Sequence, residues 1–179
     1  ESLERKQGTP ARKAGVVRLQ IEGTADDESA ALRVTLHVKV TTDDWVRVPL
    51  ALHEGVLTDY SHEVPPAKEA ASAEQTDQPA TVEPDAAFEK FTAEDGYAWR
   101  FLGRGVHVLV LDLKVPVRLQ SPLRRVQLRL PETAVSGMKL TVPHQPISVA
   151  GPPGSQWSAE PKGKKDSVIE VFGLASRLN

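Results

Sequence analysis

Ten residues, "ALRVTLHVKV" at 31–40, constrain this chain more than any other stretch. Leu32, Val34, Leu36, Val38 and Val40 fall on every second position, and Arg33, Thr35, His37 and Lys39 fill the gaps. Side chains alternate between faces along an extended strand, so this spacing makes one aliphatic face and one polar face. An aliphatic face of that kind needs a second layer to cover it. The period recurs. Val17, Leu19 and Ile21 form an expected inner row near the N-terminus, Tyr97, Trp99 and Phe101 another, and Leu109, Leu111, Leu113, Val115 and Val117 a long one. Val126, Leu128 and Leu130, then Met138, Leu140 and Val142, repeat it in two strands that stop at Pro131 and Pro143. A short strand is expected at 147–149 and a last one in "SVIEVFG" at 167–173.

No long segment carries helical periodicity. Glu94-Asp95-Gly96 and Gly103-Arg104-Gly105 sit between apolar runs and read as hairpin loops. The run "VPPAKEAASAEQTDQPATVEPDAA" at 64–87 has almost no large apolar residue. It cannot bury enough surface to offset its ordering entropy and is expected to be a mobile insertion. The expected architecture is therefore an all-β, antiparallel two-sheet β-sandwich of about nine or ten short strands. It has a polar tail at 1–15 and a single domain over 16–179 carrying the insertion at 64–87.

Two heptapeptides, "VRVPLAL" at 46–52 and "LKVPVRL" at 113–119, match position by position and each places a proline mid-strand. Pro49 and Pro116 should face outward, by parity with their aliphatic neighbours. A proline removes a ladder donor, so both strands are expected at sheet edges or bulges. There, proline and the outward Arg47, Lys114 and Arg118 would discourage edge-to-edge association.

Composition excludes several function classes. Cysteine is absent, which removes disulfides, thiolate metal sites and a cysteine nucleophile. A net charge of -2 leaves no broad basic field for nucleic acid. No apolar run approaches a transmembrane span. The chain opens on Glu1 without a methionine and stops at Asn179, which suggests a piece of a longer polypeptide.

The densest cluster of chemistry is "HEGVLTDYSHE" at 53–63, with His53, Glu54, Asp59, Tyr60, His62 and Glu63. Imidazoles and carboxylates together could bind a metal or transfer protons. The spacing matches no ligand pattern, and His53 and His62 differ in parity, so a polar hairpin is the expected reading. The acidic turns at 26–29 and 42–44 lack a calcium-loop pattern and read as capped turns. His37 belongs to an outer row and His107 to a strand start, neither with a visible partner. No phosphate-binding, dinucleotide or nucleophile-elbow motif occurs, and no cofactor is called for. Trp99 lies on an inner row, leaving Trp45 and Trp157 as candidates for a surface that stacks sugar rings. The basic residues Arg124, Arg125, Lys162, Lys164 and Lys165 would complete an interaction surface for an anionic partner.

One resemblance adds to this reading. The Trp-x-x-Val-Pro-Leu element (Trp45, Val48, Pro49, Leu50), the Gly-x-Gly-x-His turn (Gly103, Gly105, His107) and the strand ends Leu130-Pro131 and Val142-Pro143 are its marks. Over about 16–143 they resemble a β-rich region of large, uncharacterised envelope proteins of planctomycete-type bacteria. The resemblance implies an extracytoplasmic location, with the cytoplasm as the alternative, and brings no catalytic residues. The expected function is a non-catalytic structural or protein-interaction module of a larger bacterial protein. Its partners would be other domains of the same polypeptide or envelope proteins. A carbohydrate-binding module and a metal-assisted hydrolase built on His53–Glu63 are the alternatives.

Overall fold

The computed structural model describes residues 12–64, 88–92, 94–121, 123–143 and 154–174. The expected insertion at 64–87, beyond Val64 itself, and the expected strand at 147–149 lie outside the described residues. Within them the chain is all-β. Its strands are β1 (Ala14–Ala25), β2 (Ser29–Val40), β3 (Val46–Ala51), β4 (Val56–Glu63), β5 (Phe88–Thr92) and β6 (Gly96–Phe101). They continue with β7 (Gly105–Gln120), β8 (Leu123–Val126), β9 (Thr133–Val142), β10 (Gln156–Lys162) and β11 (Asp166–Phe172). Sheet A has eight strands in the order β10-β11-β9-β1-β2-β7-β4, with β8 also on β7, and sheet B has three in the order β3-β6-β5. Pairing is antiparallel except between β1 and β9, which run parallel.

The alternation read from β2 holds residue by residue. Leu32, Val34, Leu36, Val38 and Val40 are buried, and Arg33, Thr35, His37 and Lys39 face out. β7 pairs with β2 so that Leu113, Leu111 and Leu109 stand opposite Leu32, Val34 and Leu36. Sheet B lies over this row. Trp99 and Phe101 of β6 are wholly buried, with Val48 and Leu50 of β3 beside them in the same core. The Tyr97 hydroxyl ties the layers together, donating to Gly55 O and accepting from Leu57 N at 3.1 Å each.

Several expectations are corrected. In β1 a bulge falls between Val16 and Arg18, so Val16 turns inward and Val17 is exposed. An added residue shifts side-chain parity, which is why Leu19 and Ile21 still face in. The stretch at 53–63 is a corner followed by an edge strand of sheet A, β4, rather than a polar hairpin. "EPKGKKD" at 160–166, a basic run whose Gly163 and lysines read in the sequence as a turn, is mostly strand, with only 163–165 forming the turn between β10 and β11. Beyond Val126 the expected strand stops, yet Val126, Leu128 and Leu130 still pack against the core. Arg129 O there accepts from Leu52 N at 2.7 Å, and Arg129 N donates to Glu54 Oε2 at 3.0 Å. Gly103-Arg104-Gly105 closes no hairpin, because β6 and β7 belong to different sheets.

The prolines divide. Pro49 faces out on β3, an edge strand, next to a bulge between Pro49 and Ala51, as expected. Pro116 lies in an interior strand. It is accommodated because β4 ends its pairing at Lys114 and β8 begins at Val117, so the missing donor falls in the gap between two partners. The bulge in β3 runs on into Ala51 and Leu52 at φ 58° and 57°, a left-handed pair that swings the chain from sheet B to sheet A. Non-glycine residues reach that region at a cost of about 1–2 kcal/mol each. Complete burial of Leu52, worth about 1.5–3 kcal/mol, offsets it.

The assignment of faces makes a direct prediction. Leu111→Ala should cost about 2–5 kcal/mol in denaturant unfolding through its cavity, while Lys114→Ala should stay within about 0.5 kcal/mol. Equal effects would mean that the faces are misassigned.

Candidate functional site

The densest polar chemistry inside the core lies where β4 and β7 meet sheet B. His107 shares the inward parity of Leu109 and Leu111 and is wholly buried. Its Nε2 lies 2.8 Å from Gly103 O. A carbonyl only accepts, so the ring proton sits on Nε2 and Nδ1 is left as an acceptor. His62 Nε2 of β4 lies 3.2 Å from that Nδ1 and must donate to it. Ring centroids 5.3 Å apart with planes 25° apart mean that the imidazoles meet end to end, since that separation is the N···N distance plus a ring radius at either end. The result is a chain of donors running from His62 through His107 to the Gly103 carbonyl.

Aromatic rings enclose the pair. Phe101 meets His62 at 5.4 Å and His107 at 5.2 Å, both edge to face, and Trp99 meets His62 at 5.9 Å. Tyr60, two residues before His62, closes on Trp99 at 5.1 Å. Burial, and secondarily the neighbouring His107, push the His62 imidazole from 6.5 down to about 4. At neutral pH His62 is therefore an uncharged donor. The pair gives physical sense to the Gly-x-Gly-x-His element. Gly103 takes φ 89° and Gly105 φ 145° to turn the chain between sheets, and His107 then binds the carbonyl at the start of the turn.

The 3.2 Å separation, with the rings end to end, is that of a hydrogen bond between the two imidazoles. His53 does not join the pair; its Nε2 lies 3.2 Å from Glu94 O at the far end of β4. Glu54 caps Arg129 N, and Asp59 Oδ1 accepts from Tyr60 N at 2.8 Å. Among the described residues no three His, Asp or Glu side chains gather closely enough to hold a metal ion.

The outer face of sheet A carries a ladder of alternating charge. Asp112, Arg33, Glu22, Lys139 and Glu170 stand side by side on β7, β2, β1, β9 and β11. Arg33 grips Asp112 with two bonds of 2.8 Å, and Lys139 meets Glu170 at 2.8 Å. The hydrogen-bonded Arg33 guanidinium holds the Asp112 carboxyl below its usual range. The acidic turn at 26–29 is closed on itself: Asp26 Oδ1 accepts from Glu28 N at 2.8 Å and Ser29 N at 2.6 Å, while Asp27 pairs with Arg124 at 3.1 Å.

The residues nominated from sequence as an interaction surface do not converge. Lys162, Lys164 and Lys165 lie at the β10–β11 turn, while Arg124 and Arg125 lie on β8, at the same end of sheet A but about 25 Å across it at ordinary strand spacing. Trp45 and Trp157 are both 47% exposed, but Trp157 is on β10 and Trp45 lies between β2 and β3, so they form no common platform.

No family model matches the chain, and no curated protein matches it. Among solved structures it is similar to an M1 zinc metallopeptidase from Deinococcus radiodurans, at 11% identity and a TM-score of 0.48. A mutant two-domain M1 zinc metallopeptidase bound to L-tryptophan gives 11% and 0.49. Each likeness covers 90% of this chain, which spans 39% of the matched chain. At this distance it assigns no residue and no activity.

The His pair predicts a pH dependence. A folded-state value of about 4 means that the unfolded chain binds more protons between pH 6.5 and 4, so stability falls as pH drops through that window. With solvent screening at the half-exposed ring, the loss should be about 1–2 kcal/mol. His62→Gln keeps a donor for His107 and should flatten that part of the profile in denaturant titrations; an unchanged slope would show that His62 is not the group responsible.

Proposed function

We propose that this chain is a non-catalytic structural module that acts by protein–protein contact, as part of a larger extracytoplasmic polypeptide. The observation that supports this reading is the grouping of exposed apolar side chains at one corner of sheet A. Trp157 on the inner row of β10 and Phe172 on the outer row of β11 are 47% and 56% exposed and flank the same sheet edge from its two faces. Val135, 57% exposed, lies on the outer face of neighbouring β9, two residues from Gly137, the partner of Phe172. Elsewhere that face carries the charge ladder, with Val106 of β7 and Val56 of β4 exposed on it farther across the sheet. Large exposed apolar side chains rimmed by charge mark contact surfaces, and aromatic residues dominate the buried centres of such contacts. Lys162, Lys164 and Lys165 lie at the turn, the opposite end of the β10–β11 hairpin from Trp157 and Phe172.

Hydrogen exchange tests this reading. Amides of β10 should exchange more slowly within the parent polypeptide than in the dilute isolated protein. Unchanged exchange at β10, with slowing confined to the His62–His107 region, would contradict it.

A further inference from the structure

We infer that the edge of β10 pairs with the same edge of a second copy, antiparallel and centred on Ser158. The inference rests on the reading of β10 as a contact edge and names the partner. β10 is the terminal strand of sheet A among the described residues, with β11 as its neighbour. Pro161 sits in its ladder opposite Ser167. A proline fits an edge strand with its nitrogen turned away from the neighbouring strand. Odd-numbered residues of β10 therefore turn their backbone groups outward, and Trp157 and Ala159 offer an N–H and a C=O each to an incoming strand.

The side chains of this edge complement themselves. Centred on Ser158, antiparallel pairing sets Trp157 against Ala159 of the second copy, and Ala159 against its Trp157. Both residues lie on the inner row, opposite Val171 and Ile169 of β11. A large side chain thus meets a small one twice, in pairs that exchange both backbone bonds. On the outer row Gln156 meets Glu160 of the other copy, an amide donor facing a carboxylate. Ser158 meets its own counterpart on the two-fold axis, as an isologous contact requires. Pro161 ends the ladder, having no donor for the next pair. Orientation follows from charge: parallel pairing would bring the two lysine-bearing turns together, whereas the antiparallel arrangement sets them at opposite ends. The contact is one short strand wide, so the dimer belongs to the weak, concentration-dependent class.

The chain has no cysteine, so single cysteines report the register cleanly. Across a non-hydrogen-bonded antiparallel pair Cα atoms stand about 4.5 Å apart, within disulfide reach. Ser158→Cys should cross-link into a dimer under mild oxidation at least about tenfold faster than Gln156→Cys, whose copies would lie about 14 Å apart. Ala159→Pro, which removes an outward N–H, should abolish the concentration-dependent dimer in sedimentation with little change in melting temperature. Equal cross-linking of the two cysteine variants, or a monomer at every concentration, overturns the self-pairing. If β10 is then still protected in the parent polypeptide, the module reading stands with a different partner; loss of both results removes both.

Discussion

The structure depends on the pairing of β2 with β7. Leu32, Val34 and Leu36 face Leu113, Leu111 and Leu109 in one unbroken register, and all six are buried. Each such side chain contributes about 1.5–3 kcal/mol by leaving water. Alternation alone could build this row, but it holds only when a second layer removes it from solvent. Trp99 and Phe101 of sheet B supply that layer. Sheet A then extends to both sides of the central pair: β1 and β9 on one flank, β4 and β8 on the other.

The row has one polar member, and its treatment explains the local construction. His107 continues the parity of Leu109 and occupies the core position opposite Val38. A buried imidazole with unmet bonds would be costly. Its two nitrogens are met by the Gly103 carbonyl and by His62. One donor chain thus fixes three things at once: the turn that carries the chain between sheets, the seat of β4 on β7, and the rings of Phe101 and Trp99 around the pair.

Much of this was legible in the sequence, for physical reasons. β2 and β7 have strict period two, so their inner rows and the burial of Trp99 follow from parity. β1 was displaced by one residue at Val17 because a bulge leaves no mark in a pattern of aliphatic residues. The parallel pairing of β1 with β9 joins segments more than a hundred residues apart, and no local signal sets such a register. His107 was within reach of parity reasoning, because it is in phase with five inward aliphatic residues. Its partner was not, since His62 lies 45 residues earlier in a stretch rich in exposed charge. Of the nominated surface residues, Trp157 and the lysines share the β10–β11 hairpin, while Trp45 and the arginines were separated by topology.

The central claim is that the two sheets hold together through aromatic contact over the β4–β7 rows. A double-mutant cycle on Tyr60 and Trp99, whose rings meet across the layers at 5.1 Å, tests it most directly. Denaturant unfolding of Tyr60→Leu, Trp99→Leu and the double variant should give a coupling energy of about 0.5–1.5 kcal/mol. Strictly additive effects would contradict the packing of sheet B on this part of sheet A.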